Sequence, residues 1–128
     1  MLAITSIYAA LIALIFLALS IRVIRYRRAT RKGLGDEGDK SLLKRMRAQA
    51  NCAEYAPIGL ILLSLTEAAD APGAAVHVLG LTLFLGRVAH GYGFSASPPN
   101  MVLRTVGMGL TLTMIGLSAL GLLAHALI

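Results

Sequence analysis

Residues 1–21 read MLAITSIYAALIALIFLALSI, twenty-one positions from Met1 to Ile21 without a single charged side chain. At ~1.5 Å of rise per residue, a helix of that length matches the ~30 Å hydrocarbon core of a bilayer, so the run predicts a membrane-crossing helix over about residues 2–21. A secretory signal peptide would carry a basic residue ahead of a shorter apolar run and a small-residue cleavage site behind it. This run has neither the leading charge nor the short length, and it is expected to stay uncut. The rest of the chain has the same character: of 128 residues, 57% are hydrophobic and only 14% charged. The mean hydropathy of +0.76 lies beyond what a water-soluble domain of this size carries. A secreted or cytosolic globular fold, a nucleic-acid-binding domain and an extramembrane domain of any size are excluded on that ground. The one cysteine, Cys52, permits no internal disulfide and no thiolate metal site.

After the first span come Arg22, Arg25, Arg27, Arg28, Arg31, Lys32, Lys40 and Lys44, interrupted by the turn-forming acidic stretch Gly33 to Asp39. This pattern predicts a cytoplasmic loop from Arg22 to Lys44. A second span is expected over about residues 45–66, a third over 74–94 and a fourth over 101–126, separated by the turn Glu67 to Gly73 and the break Ser95 to Asn100. The turn at Glu67 to Gly73 holds no Lys or Arg, whereas the other two connections and their flanks hold all twelve. Basic residues near span ends are retained on the cytoplasmic side, so both termini are expected to be non-cytoplasmic. The chain therefore reads as a single domain, residues 1–128, with an all-α integral membrane fold: an up-and-down four-transmembrane-helix bundle. Gly80, Gly86, Gly93, Gly107, Gly109, Gly116 and Gly121 would let the last two helices approach closely, although glycine is also simply common in such helices.

Ionisable groups inside spans are expensive unless they face a partner or a wet cavity, so the few present are informative. Arg47, Asn51, Glu54 and Tyr55 share one face of the second helix, with Gln49 and Cys52 off that face. Glu54 lies ~10 Å along the helix from Arg47, about a third of the way into the bilayer. An acid at that depth needs a cation. Arg47 is expected to be out of direct reach, which leaves another helix, another subunit or a ligand as the partner. Arg87, His90 and Tyr92 end the third helix and Arg104 with Thr105 opens the fourth, all expected at one cytoplasmic depth. Guanidinium groups, an acid and phenols together suit a small anionic or zwitterionic ligand, because the Arg fork grips a carboxylate at two points. Taken singly, Arg87 and Arg104 would read as interface anchors whose heads reach the headgroup layer.

The stretch Arg47-Ala48-Gln49-Ala50-Asn51-Cys52-Ala53-Glu54-Tyr55-Ala56-Pro57 resembles the signature of the MAPEG family, the membrane-associated proteins of eicosanoid and glutathione metabolism, in the pattern R-A-Q/H-x-N-x-x-E-x-x-P. Gly86-Arg87-Val88-Ala89-His90 is similar to the third helix of the prostaglandin E synthase branch. His90-Gly91-Tyr92 resembles the Q-G-Y of the leukotriene C synthase branch, and Arg104-Thr105 falls where the family has Arg followed by Ser or another small residue. The loop Gly35-Asp36-Glu37-Gly38 looks like that of bacterial members, which implies a bacterial inner membrane as the location. The resemblance implies a homotrimer that binds glutathione as co-substrate at subunit interfaces near the cytoplasmic face. It further implies that Arg47, Asn51, Glu54, Tyr55 and Tyr92 hold the peptide, that Gln49 and Arg27 reach it from the neighbouring subunit, and that Arg104 activates the thiol. Physically, a thiol of pKa ~8.5 is mostly protonated at neutral pH, and an adjacent guanidinium in a low-dielectric site favours the nucleophilic thiolate.

The function expected is a glutathione transferase, with peroxidase activity as a variant, acting on a lipophilic electrophile or hydroperoxide in detoxification. The alternative is a non-catalytic lipid-binding membrane scaffold of the same family, since a family does not fix an activity. A small multidrug transporter fits worse, because such exporters rely on an acid in the first span and residues 1–21 have none. Val88 stands where the leukotriene branch has a ligand-contacting tyrosine, which argues against that substrate. No metal site is expected: His77 and His125 lie towards the far side and His90 towards the near side. Asp36, Glu37 and Asp39 read as a solvated turn rather than a calcium loop. The basic run after the first span reads as topology and contact with anionic membrane lipids, with Arg27 set apart.

Overall fold

A computed structural model describes the whole chain, Met1–Ile128. It contains four helices and no strand: α1 (Ala3–Thr30), α2 (Lys40–Ala68), α3 (Gly73–Ser95) and α4 (Met101–Leu127). Helices α1, α3 and α4 are each long and apolar enough to cross a membrane. Helix α2 has the length, 29 residues, but carries its basic residues in its first turns.

The helices outrun the apolar segments that announce them. Most of the loop expected from Arg22 to Lys44 is helical, because α1 continues through its arginines to Thr30 and α2 already begins at Lys40. Arg and Lys favour helix about as well as Leu does, so loss of hydrophobicity ends the membrane-embedded part without ending the helix. Helix α1 stops where Arg31 turns left-handed, with φ 56°. Helix α2 starts at Asp39, whose carboxylate accepts from the backbone N–H of Ser41 at 2.9 Å and Leu42 at 3.1 Å. At the opposite end Glu67, expected in a turn, lies in the last turn of α2 and serves a different helix. Its two carboxylate oxygens accept from Ile4 N at 2.9 Å and Thr5 N at 2.7 Å, capping the otherwise unpartnered start of α1.

Helices α2 and α3 each pack on all the others, whereas α1 and α4 do not touch. The closest pair, α3 and α4, is made possible by three glycines. A Cβ on Gly107 would lie 2.6 Å from the Gly86 carbonyl oxygen, one on Gly86 would lie 2.8 Å from Thr111 Oγ1, and one on Gly93 would lie 2.6 Å from Arg104 N. Gly80 makes room for the Tyr8 ring, while Gly109, Gly116 and Gly121 face open space and bring no helices together. Only 22 residues are buried, and Leu14, Leu17, Val78, Leu117 and Leu120 stand exposed on the outer faces. An exterior of that kind matches lipid, not water.

Candidate functional site

The site is organised by Arg87, on α3 at the centre of the bundle and 1% exposed. The interface anchor that Arg87 would suggest if taken singly is ruled out, since its guanidinium does not reach the surface. Nη1 donates to Asn51 Oδ1 of α2 at 2.6 Å, and Nε and Nη2 donate to Thr111 Oγ1 of α4 at 3.1 and 2.9 Å. Thr111 in turn donates to the Gly107 carbonyl at 2.8 Å, the residue that lets α4 come this close. The Arg87 guanidinium carbon also lies 5.9 Å from the centroid of the Tyr55 ring. Three helices are thus joined through one cation, and no carboxylate is paired with it.

This arrangement fixes the chemistry of Asn51. A guanidinium only donates, so the Asn51 oxygen must face Arg87, and the two N–H donors of its amide point elsewhere. On the same face of α2, one turn to either side, stand Arg47 and Glu54, with side chains 50% and 52% exposed. Arg47 Nη1 comes within 3.7 Å of Glu54 Oε1, which overturns the expectation that the two are out of reach. Both side chains are long and the residues are stacked at i and i+7, so the tips meet although the Cα atoms are ~10 Å apart along the axis. The separation exceeds that of a good charge-assisted hydrogen bond, so this is a loose pair. A cation, an anion and an amide donor in a row therefore face outwards from α2.

Of the other residues expected at the site, Gln49 and Tyr55 stand on α2 with this row, whereas no hydrogen bond or ion pair joins Arg104, Tyr92 or Arg27 to it. Gln49 is half-buried on the adjacent face of α2 and Tyr55 is half-buried beside Arg87. Arg104 is half-buried at the start of α4, its guanidinium stacked 4.1 Å from the centroid of the Phe94 ring. Tyr92 is 66% exposed and lines a different hollow, between α1 and α3, together with Arg22 and Val88. Arg27 is folded into its own loop, where Nη1 donates to the carbonyls of Gly35 at 2.9 Å and Lys32 at 3.3 Å. His90 is buried against Phe94. Thr111 and Met108, which complete the shell around Arg87, were missed by sequence reasoning because their only signal is a helix away from the motif. Cys52 is buried in the apolar core. His77 is a partner of the Tyr8 hydroxyl, 3.1 Å from Nδ1.

Comparison with known proteins finds sequence relatives of this chain. The chain is 36% identical over 91 residues, 71% of its own length and 70% of theirs, to two proteins named inner membrane protein YecN, from Escherichia coli strain K12 and Escherichia coli O6:H1 strain CFT073. The family model described as MAPEG family matches residues 5–124, a stretch that takes in all four helices and every residue of the site. The embedded helices, the motif on α2 and these matches lead to one conclusion: the chain is a membrane protein that belongs to the MAPEG family.

Proposed function

We propose that this protein is a glutathione-dependent transferase or peroxidase of the bacterial inner membrane, with both termini non-cytoplasmic, working as a homotrimer. The observation that carries the reading is the outward row on α2. Glutathione is a zwitterion, with carboxylates for Arg47 and the free Asn51 N–H donors and an ammonium group for Glu54. A loose, half-exposed Arg47–Glu54 pair is worth little by itself, so exchanging it for the charges of a ligand costs little. Asn51, by contrast, is held rigid by Arg87, so the donor it offers is already oriented. Half-exposed charges at bilayer depth also need cover, and a neighbouring subunit supplies it. That neighbour would bring Gln49 and Arg27, with Tyr55 and Tyr92 completing the binding of the peptide. Arg104 would hold the thiolate against a lipophilic electrophile or hydroperoxide.

One observation favours a second reading, a non-catalytic lipid-binding scaffold: Arg104 is occupied by the Phe94 ring. The two readings separate on one preparation. Detergent-solubilised protein is titrated with glutathione and then assayed for turnover with an aryl halide and a lipid hydroperoxide, and its mass is measured. The enzyme reading expects saturable binding, turnover with at least one acceptor and a trimeric mass. Binding without turnover supports the scaffold, and a stable monomer overturns the trimer.

A further inference from the structure

Two hollows at the arginine end of the first apolar run share a wall. One is a groove of about 410 Å³ between α1 and α3, lined by Ile15, Ala18, Leu19, Val88, Gly91 and Tyr92 and closed at one end by Arg22. The other, of about 310 Å³, is lined by Arg22, Arg25, Tyr26 and Arg45. Arg22 therefore stands between an apolar slot and a cluster of three guanidinium groups. None of the three is paired with an acid: the ion pairs of the chain are Lys32–Asp39 and Arg47–Glu54. Arg45 is nonetheless held in place, 4.4 Å from the centroid of the Tyr26 ring and hydrogen-bonded to Ser41. Three like charges around one hollow repel each other, and an anion placed among them removes that repulsion. Arg22 is also the first charged residue after the twenty-one uncharged ones, at the level where lipid phosphates lie.

We propose that this composite hollow is a binding site for one anionic phospholipid, with the phosphate among Arg22, Arg25 and Arg45 and the first part of an acyl chain in the groove between α1 and α3. The site is separate from the outward row on α2, and the two proposals share one residue, Tyr92, which lines the groove. The site also narrows the attraction of the whole basic stretch to two of its members, Arg22 and Arg25, joined by Arg45 of α2. Arg28 and Arg31, equally basic, line a different surface and take no part.

Native mass spectrometry of the detergent-solubilised protein tests the site. The protein is incubated with phosphatidylglycerol, with phosphatidylcholine or with inorganic phosphate. A retained phosphatidylglycerol adduct is expected, with no comparable adduct from the other two. The double variant Arg22→Gln/Arg45→Gln should retain roughly tenfold less or lower still. Val88→Trp, which fills the slot and leaves every arginine, should also lose the adduct, whereas Arg28→Gln should keep it. Equal retention of phosphatidylcholine, displacement by inorganic phosphate, or an equal loss in Arg28→Gln would overturn the proposal. So would a lipid-free wild-type protein whose groove cross-links to a second copy.

Discussion

Arg87 donates to the side-chain oxygen of Asn51 at 2.6 Å from a position that is 1% exposed, and it does so without an acidic partner. A buried cation held only by neutral acceptors is an uncommon arrangement, because desolvation disfavours the charge and nothing opposite compensates it. Its consequence here is orientation: the amide of Asn51 can point only one way.

That relationship separates stability from binding at a single residue. Asn51→Asp gives Arg87 a carboxylate, so the melting temperature should hold or rise. The same change removes the outward N–H donors and sets a negative charge against the carboxylates of the ligand, so glutathione affinity should fall roughly tenfold or more. Thermal unfolding and a glutathione titration on one preparation check both halves. A variant that melts early yet binds normally would mean that Asn51 is merely structural.

Arg87→Ala should act in the same direction on both readouts. It leaves Asn51 Oδ1 and Thr111 Oγ1 without their donor, an expected loss of about 1–3 kcal/mol, and it frees the Asn51 amide to rotate. Both the melting temperature and glutathione affinity should drop. Unchanged affinity would show that Asn51 does not need Arg87 to be oriented.

Glycines of α4 should divide into two groups under substitution by alanine. Gly107→Ala drives a Cβ into the Gly86 carbonyl and should cost about 1–3 kcal/mol by forcing α3 and α4 apart. Gly109→Ala and Gly116→Ala meet nothing and should be neutral or slightly stabilising, since alanine is the better helix former. Unfolding in detergent by denaturant reads the difference, and equal costs at all three positions would contradict the close approach at Gly107.

The junction between α1 and α2 should depend on pH in a defined sense. Asp39 accepts from Lys32 Nζ and from the Tyr26 hydroxyl, each at 2.7 Å, and these two bonds with the Leu42 N–H hold its carboxyl well below the usual carboxylate range. A carboxyl depressed by folding contributes stability above its unfolded pKa of ~3.9 and loses it as pH falls through the lower folded value. Lys32, raised by the hydrogen bond to Asp39, contributes below its unfolded pKa of ~10.4 and loses that contribution as pH rises through the higher folded value. The junction should therefore be insensitive to pH between about 4 and 10 and weaken outside that window. Hydrogen exchange of residues 31–39 across pH follows it, and Asp39→Asn should weaken the junction inside the window too.

The four helices were legible because long apolar runs, uncharged in the first and carrying few charges in the others, are separated by Pro-, Gly- or acid-containing turns and admit few other structures in a bilayer. The ends were not, because Arg22 to Thr30 is polar yet helical, and hydrophobicity reports the membrane boundary rather than the end of hydrogen bonding. The motif face of α2 was legible from helical spacing, since Arg47, Asn51, Glu54 and Tyr55 are neighbours on one helix. The partners of that face were not. Thr111 and Met108 reach Arg87 from α4, and only the packing permitted by Gly86 and Gly107 brings them there. The Arg47–Glu54 contact is not legible from axial rise alone, because the length of the two side chains closes most of the gap.

Glutathione binding by this chain and ionisation of its thiol by Arg104, both proposed above, are read together by thiolate absorbance during a glutathione titration. Wild-type protein should show a saturable thiolate signal at neutral pH. Arg104→Ala should still bind through Arg47, Asn51 and Glu54 but lose the signal, each unit by which the thiol pKa recovers being worth ~1.4 kcal/mol. Arg104→Lys should restore part of it, since it returns the charge without the planar fork. A wild-type protein with no saturable signal, or an Arg104→Ala variant whose thiolate absorbance equals that of the wild type, would contradict the account.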